Sequence, residues 1–290
     1  MIRIQKLNKS FPNKQVLSDI DLTIEDRTVF GLVGINGAGK STLLRLIAGV
    51  LKADSGSIQL DGQTLYENEK AKRQVFFLAD EPFSTPLLTP DKLKELYSTF
   101  YKFDEAKFAR YLETFGLKRK QQVGKMSKGM KRQLYLALAL STDCKVFLLD
   151  EAFDGLDPLA RLKFKRIVIE EKEAGKTFIL SSHSLRELED ISDSFAILDG
   201  GNVKQNGNLL DELGKLVKFQ LAFEREISES EIPFPCVSFK ASGRVVTVVA
   251  RGEEDALKAQ LEALNPLLLD VLPIDFEEFF LSEVGTKETL

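Results

Sequence analysis

The stretch GINGAGKST, residues 34–42, constrains the fold of this chain more than any other part of its sequence. The short apolar run TVFGLVG leads into it and the helical pattern LLRLIAGVL follows it, so it joins a predicted buried strand to a predicted helix. The match to G-x-x-x-x-G-K-[ST] runs from Gly34 to Ser41, and in this pattern backbone N–H groups and the helix N-terminus face phosphate oxygens. The stretch therefore predicts an α/β domain that carries a phosphate-binding loop.

Two side chains of this loop carry the chemistry that the pattern implies. Lys40 is expected to reach the β- and γ-phosphates of a bound nucleotide, and Ser41 is expected to bind Mg²⁺. Chance produces the pattern in roughly one chain per hundred of this length. A glycine turn without function is therefore a poor alternative, and we predict a nucleotide site.

A pair of carboxylates follows the apolar run KVFLL. Asp150 and Glu151 stand at the end of a predicted strand, and a carboxylate at the carboxyl end of a parallel strand near a phosphate-binding loop holds Mg²⁺. Because adjacent residues of a strand point to opposite sides, the two carboxylates should have separate tasks. We assign Asp150 to Mg²⁺ and Glu151 to polarising an attacking water, against the alternative of a solvated strand end.

The single histidine of the chain, His183, ends the apolar run TFILSSH. A histidine after a strand is by default a residue without a chemical role. This one follows a strand that is predicted to lie beside the Asp150 strand, so its ring could contact a γ-phosphate. We therefore predict a functional role for it.

The helix predicted for SKGMKRQLYLALAL begins in an unusual way. Ser127 is a favourable N-cap. The first turn then adds positive charge where the helix dipole is already positive, with Lys128, Lys131 and Arg132. This pattern predicts an anion opposite the helix N-terminus. The alternative is a capped core helix whose basic side chains extend into solvent.

Composition excludes several classes of protein. The chain of 290 residues has a net charge of −4 and a pI of about 5.4, without the basic excess of a nucleic-acid binder. Its two cysteines lie far apart, which argues against a disulfide framework or a zinc site and fits a reducing cytoplasm. The N-terminus does not resemble a signal peptide, and no apolar run reaches the roughly 20 residues that span a bilayer. We expect a chain that is soluble by itself, which leaves room for a membrane-bound partner.

The pattern of elements predicts two parts. Residues 1–212 carry all the motifs above and include a helical subdomain at about 85–140. Within it, apolar residues spaced for one face predict a helical stretch from Asp91 to Leu117. The sequence changes character near residue 212, and residues 213–290 predict a small α+β unit of short strands closed by a helix.

Taken in order, the motifs resemble those of the ATP-binding subunit of a bacterial ATP-binding-cassette (ABC) transporter of the export type. GINGAGKST is similar to the Walker A motif of that family, VFLLDE to its Walker B motif with the catalytic glutamate, and SSH to its switch histidine. DGLDP, with Asp157, is similar to the D-loop, and MSKGM stands where the family's signature, ideally LSGGQ, is expected. The resemblance covers residues 1 to about 212.

The resemblance implies an α/β P-loop NTPase fold of the ABC-ATPase type, with ATP and Mg²⁺ as ligands. It implies catalytic roles for Glu151 and His183, and Mg²⁺ contacts for Ser41, Asp150 and Asp80. The residues that it implies for ATP binding are Phe11, which would stack on adenine, and Asn36, Gly37, Ala38, Gly39, Lys40, Ser41 and Thr42.

The signature residues Ser127, Lys128 and Gly129 are implied to bind the γ-phosphate of ATP held by a partner subunit, across a head-to-tail dimer. The partner would be a second copy or a related ABC ATPase, so homodimer and heterodimer both stay open. An integral-membrane permease is the other implied partner, which would hold the chain at the cytoplasmic face of the cell membrane. No nucleic-acid partner is expected.

Two positions depart from the family pattern. Lys128 replaces the first glycine of the signature, where a cation would strengthen attraction to phosphate. In the Q-loop, Asp80 stands where a glutamine is expected, with Glu81 as the other possible alignment. Two further functions stay open as alternatives: a soluble ABC ATPase that acts on a cytoplasmic complex, and a nucleotide-gated docking module with weak catalysis.

Overall fold

The computed structural model describes residues 1–82 and 85–284. It divides the chain into two units, Met1–Asn206 and Gly207–Leu290. The structural division precedes the boundary predicted at 212–213, because the short helix Leu209–Leu213 groups with the second unit. The end of the predicted accessory domain, residues 285–290, lies outside the described residues.

The first two sheets of the described chain contain ten strands. Their bounds are β1 (Ile2–Phe11), β2 (Lys14–Ile24), β3 (Val29–Gly34), β4 (Ser55–Leu60), β5 (Gln63–Thr64), β6 (Val75–Leu78), β7 (Val146–Leu149), β8 (Thr177–Ser181), β9 (Ser194–Asp199) and β10 (Asn202–Asn208). One sheet has the order β2-β1-β4-β5 and is antiparallel. The other has the order β10-β9-β3-β8-β7-β6, and its strands from β9 to β6 are parallel.

The central strands of the parallel sheet are apolar at nearly every position because both faces of this sheet are covered. β3, β7 and β8 are buried along their whole length. β7 and β8 pair in parallel, with Leu149 opposite Leu180, which confirms that the strand before His183 lies beside the strand before Asp150. The carboxyl ends of these strands share one edge of the sheet, where α/β proteins place their ligands.

Helices of the first unit cover the sheets and form the helical subdomain. They are α1 (Lys40–Ile47), α2 (Glu69–Lys72), α3 (Pro90–Ser98), α4 (Glu105–Phe115), α5 (Lys128–Leu140), α6 (Pro158–Glu173) and α7 (Leu185–Glu189). Pro158 occupies the first turn of α6, a position at which proline is favoured.

The stretch from Asp91 to Leu117 is two helices, so the prediction of continuous helix was wrong. Tertiary pairing interrupts it: Phe103 forms a bridge with Thr142, and the Asp104 N–H donates to the Ser141 carbonyl at 2.7 Å. The Asp104 carboxylate then accepts from the Lys107 N–H at 2.9 Å and caps α4.

The second unit is the predicted α+β unit. It contains the strands β11 (Leu216–Ala222), β12 (Ser238–Ser242), β13 (Val245–Arg251) and β14 (Leu268–Leu272), and the helices α8 (Leu209–Leu213), α9 (Glu254–Glu262) and α10 (Phe276–Val284). Its antiparallel sheet has the order β12-β13-β11-β14 and a core of its own, which includes Phe219, Leu221, Val248 and Leu261. In the described part of the chain, no helix combines the length and apolar character needed to cross a membrane.

Candidate functional site

The glycine-rich loop joins β3 to α1 and holds its lysine inside the protein. Gly39 has a φ of 108°, and a Cβ there would lie 2.7 Å from the Leu17 side chain, so only glycine fits this turn. Lys40 is 6% exposed, and its Nζ donates to the Gly34 carbonyl at 2.6 Å. Burial lowers the pKa of Lys40, while the carboxylates of Glu151 and Asp150 act in the opposite direction. The lysine therefore lies within electrostatic reach of both carboxylates.

The remaining loop residues differ in exposure. Asn36 and Gly37 are exposed, Ala38 is buried, and Ser41 and Thr42 are half-buried in the first turn of α1. The Ala38 N–H donates to the Ile35 carbonyl at 3.1 Å, which closes the loop. The exposed loop and the start of α1 thus form one surface on which phosphate groups can lie.

Asp150 is held at the end of β7 by a buried serine. Its Oδ1 accepts from the Ser181 hydroxyl at 2.7 Å, and the same hydroxyl accepts from the Glu151 N–H at 2.9 Å. Asp150 and Ser181 are both almost fully buried. Ser181 was missed in the sequence, where it is one of two serines before His183. Its burial at the last position of a strand became visible only once β8 was paired with β7.

Glu151 and His183 contact each other directly. Glu151 Oε2 lies 2.9 Å from His183 Nδ1 and accepts from the His183 N–H at 3.2 Å. The two carboxylates were predicted to diverge by strand alternation, but β7 ends at Leu149 and Glu151 adopts a left-handed backbone with φ 47°. This turn, rather than the pleat of a strand, separates Asp150 from Glu151.

At the start of α5, a carboxylate of the same chain supplies part of the negative charge that the sequence pattern predicts opposite this helix N-terminus. Ser127 Oγ accepts from the Met130 N–H at 3.2 Å, which confirms the N-cap. The Lys128 ammonium contacts the Asp154 carboxylate at 2.5 Å. Gly129 lies against the D-loop, where an added Cβ would meet the Gly155 carbonyl at 2.5 Å.

Arg132 is not a free cation of the first turn. The residue is 5% exposed. Its guanidinium donates to the carbonyls of Ala79 at 3.0 Å and Glu151 at 2.7 Å, with further bonds to those of Asp80 and Asp150. Burial lowers its pKa, and Asp80 is the strongest of the carboxylates that oppose this effect. Arg132 therefore joins the signature helix to the turns that carry the carboxylates, a structural role that first-turn charge did not reveal.

Asp80 lies beside these cations. It lines a cavity of about 320 Å³ together with Glu81, Lys128, Lys131 and Arg132, among others. Among the residues that the structure describes, no three acidic, histidine or cysteine side chains gather as a metal site, so Asp80 does not join Asp150 and Glu151 in such a group. Asp80 therefore has cationic side chains as neighbours, and its predicted contact with Mg²⁺ stays a prediction.

Two further predicted residues lie at the borders of the site. Phe11 is exposed at the end of β1, with the Lys9 ammonium 5.5 Å from its ring centroid, and the following strand β2 brings the Val16 carbonyl against Gly39. Asp157 caps α6 by accepting from the Ala160 N–H at 2.9 Å. It also lines a cavity of about 540 Å³ with Ser127 and Gly129. The signature and the D-loop therefore share one surface.

Comparison with protein families places this chain among known proteins. Residues 17–154 match the model described as ABC transporter. Over 99% of both chains, the protein is 30% identical to the ABC transporter ATP-binding protein YtrB of Bacillus subtilis (strain 168). It is 29% identical to the lantibiotic transport ATP-binding protein SrtF of Streptococcus pyogenes, over 78% of this chain and 99% of the relative.

Solved structures share the fold of most of this chain. An ATP-binding subunit of an ABC transporter is 30% identical, with a TM-score of 0.68 over 73% of this chain and 91% of the other. The cassette MJ0796, described as a dimer in a post-hydrolysis state bound to ADP and Pi, is 19% identical, with a TM-score of 0.65 over 72% of this chain and 99% of the other.

Proposed function

This chain belongs to the ATP-binding subunits of ABC transporters and is an ATPase of that family, and we propose that it powers a separate membrane permease, in an exporter complex held at the cytoplasmic face of the membrane. The observation that carries the proposal is a phosphate loop, two carboxylates and a histidine at one edge of a parallel sheet. The export direction rests on the resemblance of the motifs, and the lantibiotic transport relative supports a transport system.

Within one chain, the loop residues 36–42 would hold the ATP phosphates and Phe11 would stack on the adenine. Mg²⁺ fits the Ser41 hydroxyl and the Asp150 carboxylate, because this ion keeps several waters and phosphate oxygens and needs few protein ligands. The Ser181 hydroxyl donates a hydrogen bond to Asp150 Oδ1 and so orients this carboxylate. When bound, Mg²⁺ would neutralise charge on the phosphates.

Glu151 is proposed to accept the proton of the attacking water. Its carboxylate is held by the His183 ring and backbone, which orient it at the edge of the sheet. His183 is exposed, and its Nε2 side would face the γ-phosphate. Intact Glu151 and His183 argue against a docking module with weak catalysis.

The signature would complete the site of a second subunit. Ser127, Lys128 and Gly129 are exposed or half-buried at the start of α5. Ser127 and Gly129 line one cavity together with Asp157. A head-to-tail dimer would bring this surface to the ATP held by the partner's phosphate loop. The dimer described for a cassette of the same fold is consistent with this arrangement.

An apolar groove between α2 and α3 is the proposed contact with the permease. It has a volume of about 430 Å³, and its wall includes Leu93, Leu96, Tyr97 and Phe100. Phe100 is 61% exposed, and Glu69, Lys72 and Arg73 supply a charged rim. A short amphipathic helix in a cytoplasmic loop of a permease fits such a groove, since its apolar face would cover these side chains.

The test is affinity purification of the chain from detergent-solubilised native membranes with ATP and Mg²⁺. We expect a multispanning protein in near-equal amount, lost with Phe100→Glu and retained with Val50→Glu, which places the same charge at an exposed apolar residue outside the groove. Recovery of cytoplasmic partners alone, with the chain absent from membranes, would favour the soluble ABC ATPase instead.

A further inference from the structure

The first turn of the signature helix carries an ion pair with the D-loop of the same chain. Lys128 Nζ lies 2.5 Å from Asp154 Oδ2. The lysine side chain is 70% exposed, whereas the aspartate is about one third exposed. The hydrogen bond to Lys128 is the main reason that the pKa of Asp154 lies below its ordinary value, with the nearby His183 acting in the same direction. The pair therefore lies at the surface and is open to competition by another anion.

The backbones of the two partners are in close contact. Gly129 leaves no room for a Cβ beneath the Gly155 carbonyl, and a Cβ on Gly155 would lie 3.4 Å from Lys128 Cγ. The Asp154 N–H donates to the Glu151 carbonyl at 3.0 Å. Asp154 is thus fixed through its backbone, while the long lysine side chain can turn away from it without moving the helix.

Other charged groups surround this pair without replacing it. Asp80 and Glu81 attract Lys128 more weakly than Asp154 does, and Lys131 and Arg132 line the same cavity. The Arg132 guanidinium already donates hydrogen bonds to backbone carbonyls. Of the three first-turn cations, Lys128 is the one that pairs with a side chain of the D-loop.

We propose that Asp154 holds Lys128 in the separate subunit and releases it to the γ-phosphate of ATP bound by a second copy of this chain. Lys128 is then an added phosphate contact that favours ATP over ADP, and Asp154 is the positioning residue that restrains it. This inference rests on the proposed head-to-tail dimer. It goes beyond that dimer because it makes the strength of association depend on one intrachain ion pair.

Charge decides whether Lys128 pairs with Asp154 or with the γ-phosphate. An exposed pair between two unit charges is weak, because each partner is well solvated and the lysine loses side-chain freedom when it pairs. A terminal phosphate carries more charge and several acceptor oxygens, and the interface of a dimer excludes water around it. ADP lacks this group, so with ADP the lysine should stay with Asp154.

The experiment measures the ATP-dependent dimerisation constant by analytical ultracentrifugation in a Glu151→Gln background, which retains ATP. We expect Lys128→Gln to weaken dimerisation by about tenfold or more, and Asp154→Asn to strengthen it by about threefold to fivefold. In the double variant, Asp154→Asn should have no effect, because there is no lysine to release. Lys128→Arg should restore dimerisation, and Lys120→Gln, an exposed lysine elsewhere on the helical subdomain, is the matched control.

Three results would contradict either the inference alone or the dimer on which it rests. If Asp154→Asn changes dimerisation equally with and without Lys128, its role is structural and the inference fails. If Lys128→Gln weakens the complexes with ATP and with ADP alike, the lysine does not recognise the γ-phosphate and the inference fails while the dimer stands. If the Glu151→Gln background itself does not dimerise with ATP, the proposed dimer is wrong and the inference falls with it.

Discussion

Two lysines of this chain are proposed to meet phosphate, and the protein holds them in opposite ways. Lys40 is buried, donates to the Gly34 carbonyl and is the first residue of the helix that follows a central strand. Lys128 is exposed and pairs with Asp154 across the surface. Burial lowers the pKa of Lys40, whereas the hydrogen bond to Asp154 raises the pKa of Lys128.

In the proposed dimer, this contrast separates the half of the catalytic site that the fold builds within one chain from the half that a second subunit would complete. The loop half is supported by buried strands and by Ser181, so its geometry exists within one chain. The signature half lies at the surface, and the charge of its Lys128 is neutralised by Asp154 of the same chain. We infer that ATP can bind a single chain, and that its hydrolysis requires the surface half of another.

The largest expected effect comes from the proposed base. Glu151→Gln should reduce ATP turnover by about 10²-fold or more while ATP binding is retained, because the amide keeps the shape of the side chain but cannot accept the proton. Turnover by a phosphate-release assay and binding by calorimetry measure the two effects. Glu113→Gln, an exposed glutamate on α4, is the control. Normal turnover in Glu151→Gln would assign the base to another residue.

The second prediction compares the two lysines directly. Lys40→Met should weaken ATP binding to the isolated subunit by about tenfold to a hundredfold, through loss of a charge-assisted hydrogen bond to phosphate. Lys128→Met should change this binding by less than about twofold, because the γ-phosphate that Lys128 is proposed to contact belongs to ATP bound by the partner subunit. Fluorescence titration at protein concentrations where the chain is monomeric measures both. Equal losses in the two variants would contradict the division of the site into two halves.

The third prediction tests the buried support of the loop half. Ser181→Ala removes the donor to Asp150 and the acceptor of the Glu151 N–H, and should lower the free energy of unfolding by about 1–3 kcal/mol. Ser98→Ala, which removes an exposed hydroxyl from α3, should change it by less than about 0.5 kcal/mol. Urea unfolding measures both variants. Equal stabilities would mean that Asp150 is oriented without its serine.

The smallest effect is expected at the surface pair. The pKa of Asp154 lies below its ordinary value of 3.8 mainly because Lys128 donates to it. The stabilisation from this pair is therefore present above pH 3.8 and is lost as the pH falls through the lower pKa of the folded state. In Lys128→Gln, the pKa of Asp154 should rise towards 3.8, as followed by carboxyl carbon NMR. An unchanged pKa would show that other groups, such as His183, hold it down.

The sequence predicted much of this site because the main motifs are local. The strand, the glycine turn and the start of a helix lie within a few residues, so their spacing alone identified Lys40 and Ser41. Asp150, Glu151 and His183 were predicted in the same way, since each follows an apolar strand. The helix stretch from Asp91 to Leu117 failed because a bridge to Thr142, far along the chain, interrupts it without changing the apolar spacing.

By itself, the sequence predicted the candidate catalytic and binding residues and much of the order of strands and helices, because backbone geometry and burial patterns act over short distances. Only the tertiary structure decided what those residues touch. Ser181 meets Asp150 because two strands pair in parallel, and Lys128 meets Asp154 because the signature helix and the D-loop pack glycine against glycine. Such contacts join residues that are distant in the chain. The periodicity of apolar residues does not predict them, because they depend on how whole elements pack to bury their apolar faces.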